Sequence, residues 1–118
     1  VTHSYPGCKN LEELYLNNND LSEVIPKTLG ECTKLRVLHL CNNTLTGTIP
    51  PEIGKCKDLE ELLLNKNQLK DEIPSDLGYL HKLKFLNLQN NFLKSEIPNL
   101  GQCKNLEELY LNDNELYG

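Results

Sequence analysis

The sequence predicts an α/β repeat solenoid of about five coils, with a parallel sheet on its concave side and short 3₁₀ or helical turns on its convex side. Three observations predict it. The pattern Leu-x-x-Leu-x-Leu-x-x-Asn-x-Leu begins at Leu11, Leu35, Leu59, Leu83 and Leu106, so the unit is 24 residues long and 23 in the last step. Each column of that pattern holds one residue type throughout, for example Asn19, Asn43, Asn67, Asn91 and Asn114. An Ile-Pro pair then recurs at Ile25-Pro26, Ile49-Pro50, Ile73-Pro74 and Ile97-Pro98, each followed by an apolar residue and a glycine. A fixed period of this length is the signature of stacked supersecondary units.

Each element has a physical reason. In Leu-x-Leu the side chains alternate, so the leucines point inward and the residues between them face solvent. One such strand cannot bury its apolar face alone, whereas stacked copies form a parallel sheet over a continuous core. The Asn column falls where the chain leaves the strand, and its amide can both donate to and accept from backbone groups that a turn leaves unpaired. Proline has no N–H and ends a ladder, which suits a short strand before a 3₁₀ turn. The 23-residue step arises because only Asn99 separates Pro98 from Leu100, where two residues separate Pro74 from Leu77.

These motifs are specific enough to carry a resemblance. Leu45-Thr46-Gly47-Thr48-Ile49-Pro50-Pro51-Glu52-Ile53-Gly54 resembles the plant-type leucine-rich repeat, L-x-G-x-I-P-x-x-[LI]-G, and the likeness runs from about Gly7 to Gly118. The resemblance implies a twisted solenoid with a second short sheet beside the concave one. Glu23, Asp71 and Ser95 stand where that pattern has its first glycine, so the second sheet is expected to be weaker there.

Residues 1–118 read as one domain, its 118 residues carrying 12 basic against 17 acidic side chains, a net charge of −5. That balance argues against a phosphate-binding face, so no nucleic-acid partner is expected. No apolar stretch approaches the roughly 20 residues of a membrane span. Methionine is absent and both ends fall inside repeat units, so the chain is expected to be a piece of a longer array with uncapped, apolar ends. Joining Gly118 of one chain to Val1 of another nearly preserves the repeat frame, which predicts weak head-to-tail self-association.

Cys8, Cys32, Cys56 and Cys103 lie three residues before the first leucine of their units, where the fourth unit has Leu80. A column that accepts both residue types is apolar and inward-facing, so these four are expected as free, buried thiols, with Cys41 the accessible one. Coil spacing would permit bridges, but co-directed side chains argue against them. The resemblance implies an extracellular home, while five thiols expected to be unpaired and the lack of a signal-peptide pattern in Val1–Pro6 leave an intracellular one open. Asn42-Asn43-Thr44 fits an N-glycosylation triplet at an exposed Asn42.

Enzyme chemistry finds little footing. His39, Cys41 and Glu61 share the exposed face, but an open sheet offers no pocket to exclude water and no oxyanion donor. No phosphate loop, dinucleotide fingerprint or clustered metal-ligand spacing occurs, so no catalytic residue, cofactor or metal is expected. The concave columns are more informative. Glu13, Val37, Glu61, Phe85 and Glu108 form one; Tyr15, His39, Leu63, Asn87 and Tyr110 form the next. Tyrosines and exposed apolar residues cluster there, which predicts a face for a protein or peptide ligand made of Glu13, Tyr15, Val37, His39, Glu61, Leu63, Phe85, Glu108 and Tyr110. A rim column alternates in sign, Glu12, Arg36, Glu60, Lys84, Glu107, and is expected to form an ion-pair ladder. The function expected is non-enzymatic protein recognition. A structural segment stacking on its neighbours, or an inhibitor of a secreted enzyme, are the alternatives.

Overall fold

In the computed structural model, which describes residues 6–118, one short strand from each repeat joins a five-stranded parallel sheet. The strands are β1 (Glu13–Tyr15), β2 (Val37–His39), β3 (Glu61–Leu63), β5 (Phe85–Asn87) and β7 (Glu108–Tyr110). They stack in chain order and in register, Leu14 opposite Leu38, then Leu62, Leu86 and Leu109. A two-stranded parallel sheet, β4 (Lys70–Asp71) with β6 (Phe92–Leu93), lies beside it. The convex side is built from the 3₁₀ turns Lys27–Glu31, Pro51–Lys55 and Ser75–Tyr79. The shortened connection at Asn99 makes a plain turn instead, closed by the Gly101 N–H donating to Asn99 Oδ1 at 2.8 Å.

The inward leucines of the middle coils are fully buried, Leu38, Leu62 and Leu86 among them, whereas Leu16, Leu21 and Leu109 of the outer coils remain exposed. A solenoid buries a coil only by stacking another on it, so its outer coils are the least covered. Close stacking also explains the glycine that follows the convex apolar residue. A Cβ added at Gly54 would sit 2.6 Å from the carbonyl oxygen of Asp76 in the next coil.

The Asn column does more than fill a turn. Asn67 Nδ2 donates to Leu64 O and Asn65 O within its own coil and to Leu40 O in the preceding one, at 3.0–3.3 Å. Its Oδ1 accepts from the Leu45 N–H at 3.0 Å. Asn43, Asn91 and Asn114 repeat this pattern one coil at a time. Immediately before each asparagine of the column, Asn19 included, the chain adopts a left-handed conformation, at Asn18, Asn42, Lys66, Asn90 and Asp113. Asn and Asp tolerate that region, and Lys66 is the exception that pays a steric penalty.

Two expectations about this framework are corrected. Cys8 and Cys32 are joined by a disulfide, with α-carbons 5.0 Å apart, so only Cys41, Cys56 and Cys103 are free. The coil spacing falls inside the range a bridge needs, and co-directed side chains do not prevent the sulfurs from meeting. Cys56 and Cys103 are buried as expected, and burial pushes the Cys56 thiol up to about 11. Cys41 is half-buried. The second sheet, in turn, does not weaken at every substituted glycine. Lys94 N–H donates to Asp71 O at 2.8 Å and Tyr117 N–H to Ser95 O at 3.0 Å, matching Lys70 to Gly47 O at 2.9 Å. Asp71 takes the left-handed conformation itself, and the Ser95 hydroxyl accepts from the Ile73 N–H. Only the Glu23 junction is long, with Thr46 N–H 3.4 Å from Glu23 O.

Two outcomes follow for the isolated protein. Thiol counting in denaturant without reductant should find three groups, rising to five after reduction, and the unreduced chain should be two hydrogens lighter; five thiols before reduction would disprove the bridge. Lys66→Asn should raise stability in urea unfolding by about 0.5–1 kcal/mol, since it relieves left-handed strain at an exposed position.

Candidate functional site

The concave sheet presents the residues between the buried leucines, and the structure brings most of the expected face together. Glu61, Leu63, Phe85, Asn87, Glu108 and Tyr110 line one shallow concavity of about 360 Å³ across β3, β5 and β7. Leu63 and Asn87 are directly opposite on β3 and β5, as are Asn87 and Tyr110 on β5 and β7. Tyr110 is exposed, Leu63 and Phe85 are half-buried. The Tyr110 hydroxyl donates to Glu108 Oε1 at 3.2 Å. The charge of Glu108 and that hydrogen bond hold the phenol above its ordinary value of 10.

A second cluster occupies β1 and β2. Tyr15 and His39 face each other edge to face, ring centroids 4.8 Å apart. His39 Nε2 and Glu61 Oε1 are hydrogen-bonded at 2.8 Å, which ties this cluster to the concavity. The Tyr15 hydroxyl donates to Glu13 Oε1 at 3.1 Å. Burial, followed by that bond to a carboxylate, raises the Tyr15 phenol.

Val37 does not belong to the contact surface. It is 5 % exposed, because this short β-branched side chain lies directly between Glu13 on β1 and Glu61 on β3 and its longer neighbours cover it. The apolar area expected from exposed Val37, Leu63 and Phe85 therefore comes from the latter two, each only half open. Asn87 joins the face although chemistry gave no reason to single it out. Its place in the column of Tyr15, His39, Leu63 and Tyr110 was the available signal.

The rim ladder forms from Glu12 to Lys84 and stops short of its expected last member, with no ion pair to Glu107 among the described residues. Arg36 Nη2 reaches Glu13 Oε2 at 2.7 Å and its Nε reaches Glu12 Oε1 at 3.4 Å; Lys84 Nζ lies 3.5 Å from Glu60 Oε1. Arg36 thus holds Glu13, a residue of the expected face, which column arithmetic alone had assigned to Glu12. Cys41 makes no hydrogen bond to His39 among the described residues, and burial raises its thiol, which opposes thiolate formation. A larger concavity, about 740 Å³, lies between the turns Pro51–Lys55 and Ser75–Tyr79, lined by Lys55, Lys57, Tyr79 and His81 with Glu52 and Asp76. Its mixed charges give no single chemistry to a ligand, whereas the charged groups lining the concavity on β3, β5 and β7 are acidic only, Glu61 and Glu108, beside Leu63, Phe85 and Tyr110.

The repeat profile described as "Leucine rich repeat" matches residues 9–69 and 33–93, and "Leucine Rich repeats (2 copies)" matches residues 81–117. The chain belongs to the plant-type leucine-rich-repeat family. Solved leucine-rich-repeat structures superimpose closely. The plant peptide hormone receptor RGFR1, in complex with RGF2, is 38 % identical over 92 % of this chain with a TM-score of 0.90. PEPR1, solved as PEPR1–AtPEP1, is 40 % identical over 94 % with a TM-score of 0.89. The Arabidopsis receptor kinase HAESA, in complex with the peptide hormone IDA and the co-receptor SERK1, is 38 % identical over 90 % with a TM-score of 0.87. The chain spans 16–18 % of the length of these three proteins. No curated protein matches it. Among the described residues no helix is long and apolar enough to cross a membrane.

Proposed function

We propose that this leucine-rich-repeat segment is a non-catalytic recognition surface for a peptide or protein, used through its concave sheet. One observation carries the reading: in a fold that hides the inward leucines of its middle coils, half-buried Leu63 and Phe85 and exposed Tyr110 line a single concavity on the outward face. Aromatic side chains with a polar tip supply apolar contact at low ordering cost, the usual composition of a binding hot spot. Glu61 and Glu108 line the same concavity and Glu13 stands beside Tyr15, so the partner suited to it is an apolar segment carrying basic side chains. RGFR1 is a plant peptide hormone receptor solved in complex with RGF2, and HAESA is solved with the peptide hormone IDA; this likeness supports a peptide-sized ligand.

Rigidity supports the reading as well. β2, β3 and β5 are locked in register by backbone bonds on both sides and β7 by its bonds to β5, and the His39–Glu61 and Arg36–Glu13 contacts fix polar groups at the edge of the patch. A preformed surface loses little entropy when a flexible ligand settles on it.

The test selects 12-mer peptides from a random library on the folded chain and measures them against two double variants. Peptides carrying Lys or Arg beside apolar residues should be enriched. Leu63→Ala with Tyr110→Ala should weaken their binding by about 30-fold, roughly 2 kcal/mol, the scale of a hot spot. Lys55→Ala with Tyr79→Ala on the convex side should leave binding unchanged. Peptides that depend on the convex pair, or a library that yields none, would overturn the assignment.

A further inference from the structure

Asn42-Asn43-Thr44 is the one Asn-x-Ser/Thr triplet in the chain, and the structure gives its two asparagines opposite fates. Asn43 is buried, its amide donating to Leu16 O, Leu40 O and Cys41 O while its Oδ1 accepts from the Asn19 and Leu21 N–H groups. Asn42 is exposed, with φ of 57°, and its side chain makes no hydrogen bond among the described residues. The turn around it is held without that side chain. Asn42 N–H donates to Asn65 O at 3.1 Å, and Thr44 N–H donates to Leu21 O at 2.8 Å. Substituting the Asn42 amide therefore costs the fold no bond.

A second, independent observation concerns the compartment. The Cys8–Cys32 disulfide fits an oxidising lumen, because reducing compartments keep such thiols reduced. The thiols that remain are shielded: Cys56 and Cys103 are buried and Cys41 is half-buried. Nothing about them conflicts with passage through that lumen.

We propose that Asn42 is an N-glycosylation site of a chain that matures in the secretory lumen. In the transfer, Asn42 Nδ2 forms a bond to C1 of an oligosaccharide carried on a lipid pyrophosphate. The bond from C1 to the pyrophosphate oxygen breaks, its electron pair leaves with the pyrophosphate, and the amide nitrogen loses one proton. The sugar then stands at the exit of β2, three residues past His39 and at the opposite end of the strand from Arg36. The concavity of Leu63, Phe85 and Tyr110 on β3, β5 and β7 stays uncovered, so the glycan and the recognition face are separate features. The proposal does not depend on that face binding anything.

The experiment expresses the whole chain behind a cleavable secretory leader in eukaryotic cells and weighs all leader-free chain before and after peptide N-glycosidase. The wild type should carry one glycan, and digestion should leave Asp at position 42 in the peptide map. Asn42→Gln and Thr44→Val should carry none, and Asn42→Gln should melt only a few degrees below the deglycosylated wild type, the cost of a longer side chain in the left-handed turn rather than of any lost bond. Lys66→Asn with Gln68→Thr moves the same triplet into the equivalent left-handed turn one coil on and should add a second glycan. Leader-free wild type with an unmodified Asn42, whether secreted or retained, would overturn the proposal.

Discussion

The side-chain amides of Asn43, Asn67, Asn91 and Asn114 each bond to two coils at once, and the rest of the solenoid depends on that sharing. Every coil must leave its strand, reverse, and leave again, which strands backbone carbonyls and N–H groups in an apolar interior. An unpaired buried backbone group costs about 1–3 kcal/mol, so five such turns without partners would exceed the stability of a small domain. One asparagine satisfies carbonyls such as Leu40 O and Leu64 O and an N–H such as that of Leu45. Because these partners belong to consecutive coils, the bond that closes one turn also sets the stacking of the next. The register of the strands, the close approach at Gly54 and the burial of Leu38, Leu62 and Leu86 all follow from that spacing.

Stacking in turn creates the surface. The inward leucines are removed from water coil by coil, and what remains between them is displayed on a sheet whose curvature needs no further support. Glu61, Leu63, Phe85, Glu108 and Tyr110 meet around one concavity although they come from residues 61 to 110, because parallel strands bring residues 24 and 23 apart side by side. The fold thus converts a linear repeat into a local cluster. The same geometry that makes the core continuous makes the ladder from Glu12 through Arg36 and Glu60 to Lys84 continuous on the rim.

Much of this was legible in the sequence because the repeat writes each column five times. The strands, the convex turns and the alternation of inward and outward residues followed from spacing alone, and so did most of the concave face. What was not legible depends on heights and directions that spacing omits. Val37 shares a column with Phe85, yet it is covered because Glu13 and Glu61 flank it, and column arithmetic carries no side-chain length. Cys8 and Cys32 share a column with Leu80, and a column tolerant of leucine says nothing about whether two sulfurs one coil apart will meet. The left-handed turn at Asn18, Asn42, Lys66, Asn90 and Asp113 was not read from the sequence, because Lys66 interrupts a column otherwise made of Asn and Asp.

The shared amide is tested most directly by urea unfolding of Asn67→Ala beside Gln68→Ala. Gln68 is the exposed neighbour of Asn67, and its side chain makes no hydrogen bond among the described residues. If Asn67 holds two coils, its removal leaves the buried Leu45 N–H without a partner, strips Leu40 O and Leu64 O back to their single bonds from Asn43 and Asn91, and should cost about 2–3 kcal/mol, a large share of the stability of a small domain. Gln68→Ala should stay within about 0.5 kcal/mol of the wild type. An Asn67→Ala chain that unfolds cooperatively with a loss under about 1 kcal/mol would show that the coils are held by leucine packing alone, and would contradict the account.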